Sequence, residues 1–192
     1  MLKSIKGEYY RIVLEIYPPL STSGAEARGG RWNKPGEPAL YLSFSKKGAA
    51  REVVKHYLEK TFKIPLKTCN RESIEKIRLK VPRELWKDVQ QTRFRVVRIE
   101  CEVENVLNVG EEKTRKKLGI DIEKLTGSQE ITRKLIQTLK TKFKLEGIIY
   151  PSSLNPKEKH LCILDKKVLK SGKIKKKSST RVSFSELISL LE

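Results

Sequence analysis

The chain has 192 residues, of which 38% are hydrophobic and 34% charged, and its formal net charge is +19. This length suits one domain with a sizeable core. No apolar run approaches the roughly 18 residues of a membrane span, and the N-terminus lacks a secretory leader, so we expect a cytoplasmic protein without membrane contact. The three cysteines match neither a zinc spacing nor a disulfide framework, so no metal site is predicted.

The positive charge predicts attraction to polyanions, and nucleic acid is one candidate partner. The lysines are scattered along almost the whole chain, however, and this distribution is more typical of a solvated surface than of a binding stripe. A substrate with two phosphates, or an acidic protein partner, would benefit equally. Nucleic-acid binding is therefore possible but not favoured.

The first third of the chain predicts two strands and a helix. Tyr9–Ile16 is rich in aromatic and β-branched residues and predicts a strand, whereas Ser21–Arg28 has the small polar composition of a loop. The apolar run Ala39–Ser43 predicts the second strand. Lys47–Thr61 predicts a helix because its apolar residues recur at three-four spacing.

The middle of the chain predicts a further mixture of strands and helices. Lys76–Val81 alternates apolar and basic residues and predicts a strand, and Glu84–Val89 predicts a helical turn. Phe94–Val103 alternates again and predicts a longer strand. Ser128–Phe143 predicts the second main helix, in which Ser128 is the N-cap.

The C-terminal part predicts two short strands and an appended segment. Gly147–Ser153 predicts a strand and turn, and His160–Leu164 predicts the last core strand. We divide the chain into a domain of residues 1–169 and a segment of residues 170–192. This segment begins as a basic linker of low complexity and then recovers an apolar pattern, so it either docks back or stays disordered.

The order of these elements favours an α+β fold with mostly antiparallel sheets and two main helices, since strands do not alternate strictly with helices. Neither a GxGxxG nor a GxxxxGK[ST] motif is present. We therefore expect neither a Rossmann nor a P-loop nucleotide site.

The most distinctive stretch is the glycine-rich turn at residues 29–36, Gly-Gly-Arg-Trp-Asn-Lys-Pro-Gly. Its glycines allow a ligand to approach the backbone closely. Arg31 offers a planar fork of donors for phosphate or carboxylate, and Trp32 offers a flat face for stacking. Glu52 is predicted on the first turn of the following helix, where it would point back toward this turn.

Three separated pieces of the chain follow each other in a characteristic order: Tyr10-Arg11, then Gly30-Arg31-Trp32-Asn33 with Tyr41-Leu42-Ser43 and Glu52, and then Gly147 through Ser152. In this order and spacing they resemble the RES domain, a family named for an Arg, a Glu and a Ser. The resemblance runs from about Tyr9 to about Leu164. It implies a fold similar to ADP-ribosyltransferase toxins, a catalytic domain at residues 1–169, NAD+ as the substrate and an Xre-type helix-turn-helix antitoxin as the partner.

The resemblance also implies the site residues. Arg31, Glu52 and Ser152 are the expected catalytic residues, with Ser153 as an alternative register for the serine. The residues expected to bind NAD+ are Arg11, Arg31, Trp32, Asn33 and Tyr41. The two arginines suit a pyrophosphate, Tyr41 suits the nicotinamide or ribose, and Ser152 could orient Glu52.

The chemistry fits these residue types. Cleavage of the nicotinamide–ribose bond passes through an oxocarbenium-like state, and a carboxylate such as Glu52 can stabilise its positive charge. The acceptor remains open between phosphate, water and a protein side chain. Two other functions also remain open: a basic nucleic-acid-binding module, and an inactive RES-like scaffold that only binds protein.

Overall fold

The computed structural model describes all 192 residues, and its strands form a sheet that closes on itself. The six strands are β1 Leu2–Leu14, β2 Leu40–Ser43, β3 Arg93–Asn108, β4 Gly147–Pro151, β5 Lys159–Ile163 and β6 Ile174–Ser183. The order β1-β2-β5-β4-β3, together with pairing of β1 to β3, makes a ring of five strands, and β6 extends β3 as an edge strand. All pairings except β3–β4 are antiparallel.

Nine helices surround this ring. They are α1 Ser23–Arg28, α2 Lys46–Phe62, α3 Arg71–Arg78, α4 Arg83–Gln91, α5 Glu112–Leu118, α6 Ile122–Thr126, α7 Gln129–Lys142, α8 Lys166–Lys170 and α9 Phe184–Ser189. The two longest, α2 and α7, are the two main helices that the sequence predicts. Each begins after a serine whose side chain accepts a backbone N–H of the first turn, Ser45 and Ser128 respectively. The prediction of mixed helices and mostly antiparallel strands is confirmed.

Three apolar clusters hold these elements together. The first contains residues from all five strands of the ring and fills its interior, with Tyr9, Leu42 and Leu161 as examples. The second lies between the ring and helices α2, α3, α4 and α9. The third lies under α5, α6 and α7 and includes Trp32. None of the nine helices has both the length and the apolar composition needed to cross a membrane.

Two local predictions are wrong. The predicted strand Lys76–Val81 instead begins inside α3, because Asn70 and Ser73 form a capping box that starts a helix there. Short alternation of apolar and basic residues also fits one face of a helix. Part of the predicted loop Ser21–Arg28 forms the short helix α1.

Residues 170–192 belong to the same fold as the rest of the chain. β6 pairs with β3 along nearly its whole length, from Ile174 opposite Cys101 to Ser183 opposite Arg93. Phe184 of α9 is fully buried in the second cluster. The basic residues near the start of the segment 170–192 therefore lie largely on the solvent-exposed edge strand β6.

Candidate functional site

Neighbouring strands bring a row of side chains together on the outer face of the ring. Strand register places Tyr10 opposite Ser43, Ser43 opposite His160, and His160 opposite Tyr150. Directly paired residues point to the same face of a sheet, and successive residues point to opposite faces. These four side chains, the polar row, therefore face away from the apolar interior of the ring.

Helix α2 places Glu52 over this row. The helix begins at Lys46, so Glu52 lies on its second turn and not on the first turn that the sequence predicted. Its Oε1 accepts a hydrogen bond from Ser152 Oγ at 2.9 Å and lies 3.5 Å from His160 Nε2. The Glu52 side chain is 28% exposed. We call Glu52, Ser152 and His160 the carboxylate cluster.

Ser152, and not Ser153, is the serine that contacts Glu52. It directly follows β4, where its backbone N–H donates to the carbonyl of Glu158 at 2.9 Å. Its Oγ also accepts a hydrogen bond from the backbone N–H of Leu154 at 3.1 Å. The hydroxyl is thus almost fully buried and has a fixed direction toward the carboxylate.

The glycine-rich turn is held by Tyr41 and Asn33. The Tyr41 hydroxyl donates to Asn33 Oδ1 at 2.7 Å and accepts from the Trp32 backbone N–H at 2.9 Å. The amide nitrogen of Asn33 donates to three carbonyl oxygens of the same region, those of Ala25, Lys34 and Glu37. A Cβ at Gly30 would lie 2.4 Å from the Tyr41 hydroxyl, so only glycine fits there. Tyr41 and Asn33 are therefore engaged in shaping the turn.

Trp32 is fully buried in the third apolar cluster, where its ring lies 5.2 Å from that of Tyr150. The expectation that its flat face is open to a ligand is therefore wrong, because that surface is covered by the core. Its indole Nε1 has no hydrogen-bond partner. Trp32 contributes packing against Tyr150, a member of the polar row.

Arg31 is anchored to the C-terminal end of α6. Its Nη1 donates to the carbonyls of Leu125 at 3.0 Å and Gly127 at 3.1 Å, while its other guanidinium nitrogens make no hydrogen bond within the chain. Burial lowers the pKa of His160, the carboxylates of Glu52 and Glu158 oppose this shift, and Arg31 adds to it. Arg31 and Glu52 therefore act on the same buried imidazole.

Tyr150 gives a second link between these two charges. Burial raises the pKa of Tyr150 well above its usual value, the negative charge of Glu52 adds to the rise, and the positive charge of Arg31 opposes it. Arg31 and Glu52 thus shift the pKa of Tyr150 in opposite directions, and their meeting around one ligand stays a prediction.

Arg11 lies elsewhere. It follows Tyr10 on β1, so its side chain leaves the opposite face of the strand from the polar row. Its guanidinium donates to the carbonyls of Pro19 at 3.0 Å and Ser21 at 2.7 Å, and burial lowers the pKa of Arg11 to about 10. Two of its guanidinium donors are thus engaged by loop carbonyls, and its expected contact with NAD+ stays a prediction.

Two residues of the site were missed by sequence reasoning. His160 was only the start of a predicted strand, and Glu158 was assigned no role. Glu158 forms an ion pair with Arg51, yet its Oε2 is buried without a hydrogen-bond partner. The sequence shows His160 as a polar residue next to the apolar residues of β5, but this pattern does not reveal its contact with Glu52. No three His, Cys, Asp or Glu side chains are grouped as metal ligands would be.

Comparison with known proteins identifies the family of the chain. The RES domain model matches residues 5–185, so the chain belongs to the RES domain family. The match extends beyond Leu164 through β6. A solved structure with a similar fold is the crystal structure of the M. tuberculosis MbcT–MbcA toxin–antitoxin complex, with 17% identity and a TM-score of 0.69 over 99% of this chain and 91% of that chain. No curated protein matches the chain.

Proposed function

We propose that this protein is a toxin-like enzyme that cleaves the nicotinamide–ribose bond of NAD+. The observation that carries the proposal is the partly exposed Glu52 carboxylate, which Ser152 orients and which acts with Arg31 on the same buried side chains. Membership of the RES domain family supports it, and so does the similarity to a structure from a toxin–antitoxin complex. We propose an ADP-ribosyltransferase-like fold on the same grounds.

The reaction needs little proton chemistry from the protein. When the bond breaks, its electron pair leaves with nicotinamide, which becomes neutral, and the ribosyl carbon becomes positively charged. A fixed negative charge beside that carbon lowers the barrier because it stabilises the transition state more than the ground state. Glu52 supplies this charge, and its second oxygen can accept a hydrogen bond from a ribose hydroxyl.

Binding of the pyrophosphate falls mainly to Arg31. Its unused guanidinium nitrogens can donate to phosphate oxygens, and such charged hydrogen bonds are stronger than neutral ones. Arg11, Tyr41 and Asn33 act on the substrate indirectly in this proposal, because their hydrogen bonds hold the surrounding loops.

The acceptor is phosphate, water or a protein side chain. In each case an acceptor atom bonds to the ribosyl carbon as its bond to the nicotinamide nitrogen breaks, and a neutral acceptor such as water then releases a proton to solvent. Phosphate would give ADP-ribose-1″-phosphate, water would give ADP-ribose, and a protein would carry ADP-ribose itself. We further propose that an Xre-type antitoxin neutralises the enzyme. A net charge of +19 suits an acidic partner surface.

The experiment incubates purified protein with NAD+, with and without phosphate, and separates the products by chromatography. We expect wild type to consume NAD+ and Glu52→Gln to consume almost none. Glu59→Gln is a matched control, since Glu59 lies two turns further along α2 and is also 28% exposed. Equal NAD+ loss in wild type and Glu52→Gln would contradict the proposal.

Nucleic-acid binding is the second candidate, and the basic edge strand β6 is the observation that favours it. Lys175 and Lys176 are exposed there, but Lys177 and Arg181 are paired with Glu100 and Glu15. Binding through this strand would weaken steeply as salt rises. Titration of a labelled duplex at two salt concentrations measures this.

A further inference from the structure

We infer that His160 is a positioning residue, which together with Ser152 holds one oxygen of Glu52 so that the other oxygen is presented to the substrate. The contact between His160 and Glu52 does not depend on any reaction, whereas its effect on kcat rests on the proposed function. His160 touches neither the substrate nor the reacting atoms in this arrangement, and it acts only through Glu52.

The first support is an unsatisfied nitrogen. The His160 side chain is only 5% exposed, and its Nε2 has no hydrogen-bond partner although it lies 3.5 Å from Glu52 Oε1. An unpaired buried polar group destabilises the folded state because it has lost its hydrogen bonds to water. A small movement that brings the two atoms to normal hydrogen-bond distance would remove this cost.

The second support is the rigidity of the ring. Tyr150 packs on His160 with ring centroids 5.6 Å apart, and both residues belong to paired strands. The imidazole therefore cannot turn toward solvent for another partner. Glu52, by contrast, ends a flexible side chain on a helix, so the carboxylate adjusts to the imidazole.

The third support is the placement of the two Glu52 oxygens. Oε1 receives Ser152 Oγ and faces His160, whereas Oε2 lies 3.6 Å from the exposed His56. Donation to Oε1 from both Ser152 and His160 would fix the rotation of the carboxylate and leave Oε2 beside the exposed His56. With Ser152 alone, the carboxylate could rotate about that single hydrogen bond.

The charges around His160 influence whether its imidazole is protonated. A backbone hydrogen bond at Leu42 favours a protonated ring, as do the carboxylates of Glu52 and Glu158, whereas burial and Arg31 oppose it. A neutral imidazole has one N–H for two acceptors, the Leu42 backbone and Glu52. Donation to Glu52 therefore requires either the Nε2–H tautomer or the protonated ring.

Two substitutions separate the two ring nitrogens. His160→Gln places an amide nitrogen near the position of Nε2, and His160→Asn places one near Nδ1. We expect Gln to keep kcat for NAD+ within about threefold, and Asn to lower kcat by about 10²-fold with little change in KM, because a misplaced catalytic group costs that much. Equal kcat values for two folded variants would overturn the inference.

A second measurement needs no turnover and no variant of His160. The chain has only two histidines, so His56→Gln leaves a single imidazole for nitrogen-15 NMR. We expect a hydrogen-bonded Nε2–H and a titration that moves to lower pH when Glu52→Gln is added, since the carboxylate favours the protonated ring. An unchanged titration would overturn the inference. A shift of the His160 titration on Glu52→Gln, in a protein whose wild type consumes no NAD+, would refute the proposed function and leave the contact between His160 and Glu52 intact.

Discussion

Arg11 and the carboxylate cluster are two buried polar regions with opposite hydrogen-bonding states. Two guanidinium nitrogens of Arg11 donate to loop carbonyls, so that region is largely satisfied. In the carboxylate cluster, His160 Nε2 lacks a partner, and beside it so does Glu158 Oε2. Native proteins satisfy most buried polar groups, and exceptions require an explanation. The contrast indicates that Arg11 stabilises the loop it contacts, whereas the cluster has polar atoms with unused hydrogen-bonding capacity.

The largest effect that tests this contrast is on catalysis. Glu52→Gln removes the charge beside the ribosyl carbon but keeps the shape, so we expect NAD+ turnover to fall about 10²- to 10³-fold. The free energy of unfolding should change little, since the amide oxygen can still accept from Ser152. Steady-state NAD+ consumption and urea unfolding measure the two quantities.

The control for this prediction is Glu59→Gln, whose turnover should equal that of wild type. A folded Glu52→Gln protein that retains more than a tenth of wild-type turnover would show that the cluster is not the catalytic region. The difference in hydrogen bonding between the Arg11 region and the carboxylate cluster would then affect only the stability of the fold.

The second prediction concerns the satisfied region. Arg11→Met leaves the carbonyls of Pro19 and Ser21 without their donors, so we expect a loss of about 2–3 kcal/mol in the free energy of unfolding. Turnover of the folded protein should change less than about threefold, because two Arg11 donors are engaged by these loop carbonyls. Urea unfolding and NAD+ kinetics at low temperature measure both.

Arg98→Met is the matched control, because Arg98 lies on β3 opposite Tyr10 and its pair with Glu8 is exposed. Exposed pairs contribute about 0–1 kcal/mol. A tenfold loss of turnover in folded Arg11→Met would show that Arg11 contributes to substrate binding or catalysis, so that the two regions would not differ in this respect.

Residues of the fold and site differ in how far the sequence could predict them. The helix around Glu52 and the strand Phe94–Val103 were predictable, because long periodic patterns match one structure only. The six residues Lys76–Val81 were too few, since their alternation also fits a helix face. A capping box at Asn70 decided between the two.

The site shows the same limit at the level of contacts. Arg31, Glu52 and Ser152 could be singled out by residue type and order. His160 could not, because its place beside Glu52 depends on the register of β2, β5 and β4. Residue type showed that Arg11 can bind an anion, but no local pattern shows which carbonyl groups of the folded chain its donors reach.

The third prediction concerns the hydrogen bonds of Tyr41 in the glycine-rich turn. Tyr41→Phe removes the hydroxyl that joins Asn33 to the Trp32 backbone, so we expect a loss of about 1–1.5 kcal/mol in the free energy of unfolding. Tyr17→Phe, at a half-exposed tyrosine, should stay within about 0.5 kcal/mol of wild type. Urea unfolding compares the two. Equal stabilities would mean that the turn does not depend on this hydroxyl.

The smallest expected effect is a pH dependence of the free energy of unfolding, and we expect it to come from His160 in the carboxylate cluster. Burial lowers the pKa of His160 below its usual value of about 6.5. Between these two values the unfolded chain binds more protons than the folded chain, so the free energy of unfolding falls as pH drops through this window and is fully restored above it. Urea unfolding from pH 7.5 to 5.5 measures the slope.

Two variants identify the source of this slope. His160→Gln removes the titrating group and should flatten the curve. Glu52→Gln should extend the fall to lower pH, because the carboxylate opposes the effect of burial on the pKa of His160. If neither variant changes the slope of unfolding free energy against pH, the pH dependence comes from groups outside the carboxylate cluster. Protonation of His160 would then not contribute to the loss of stability.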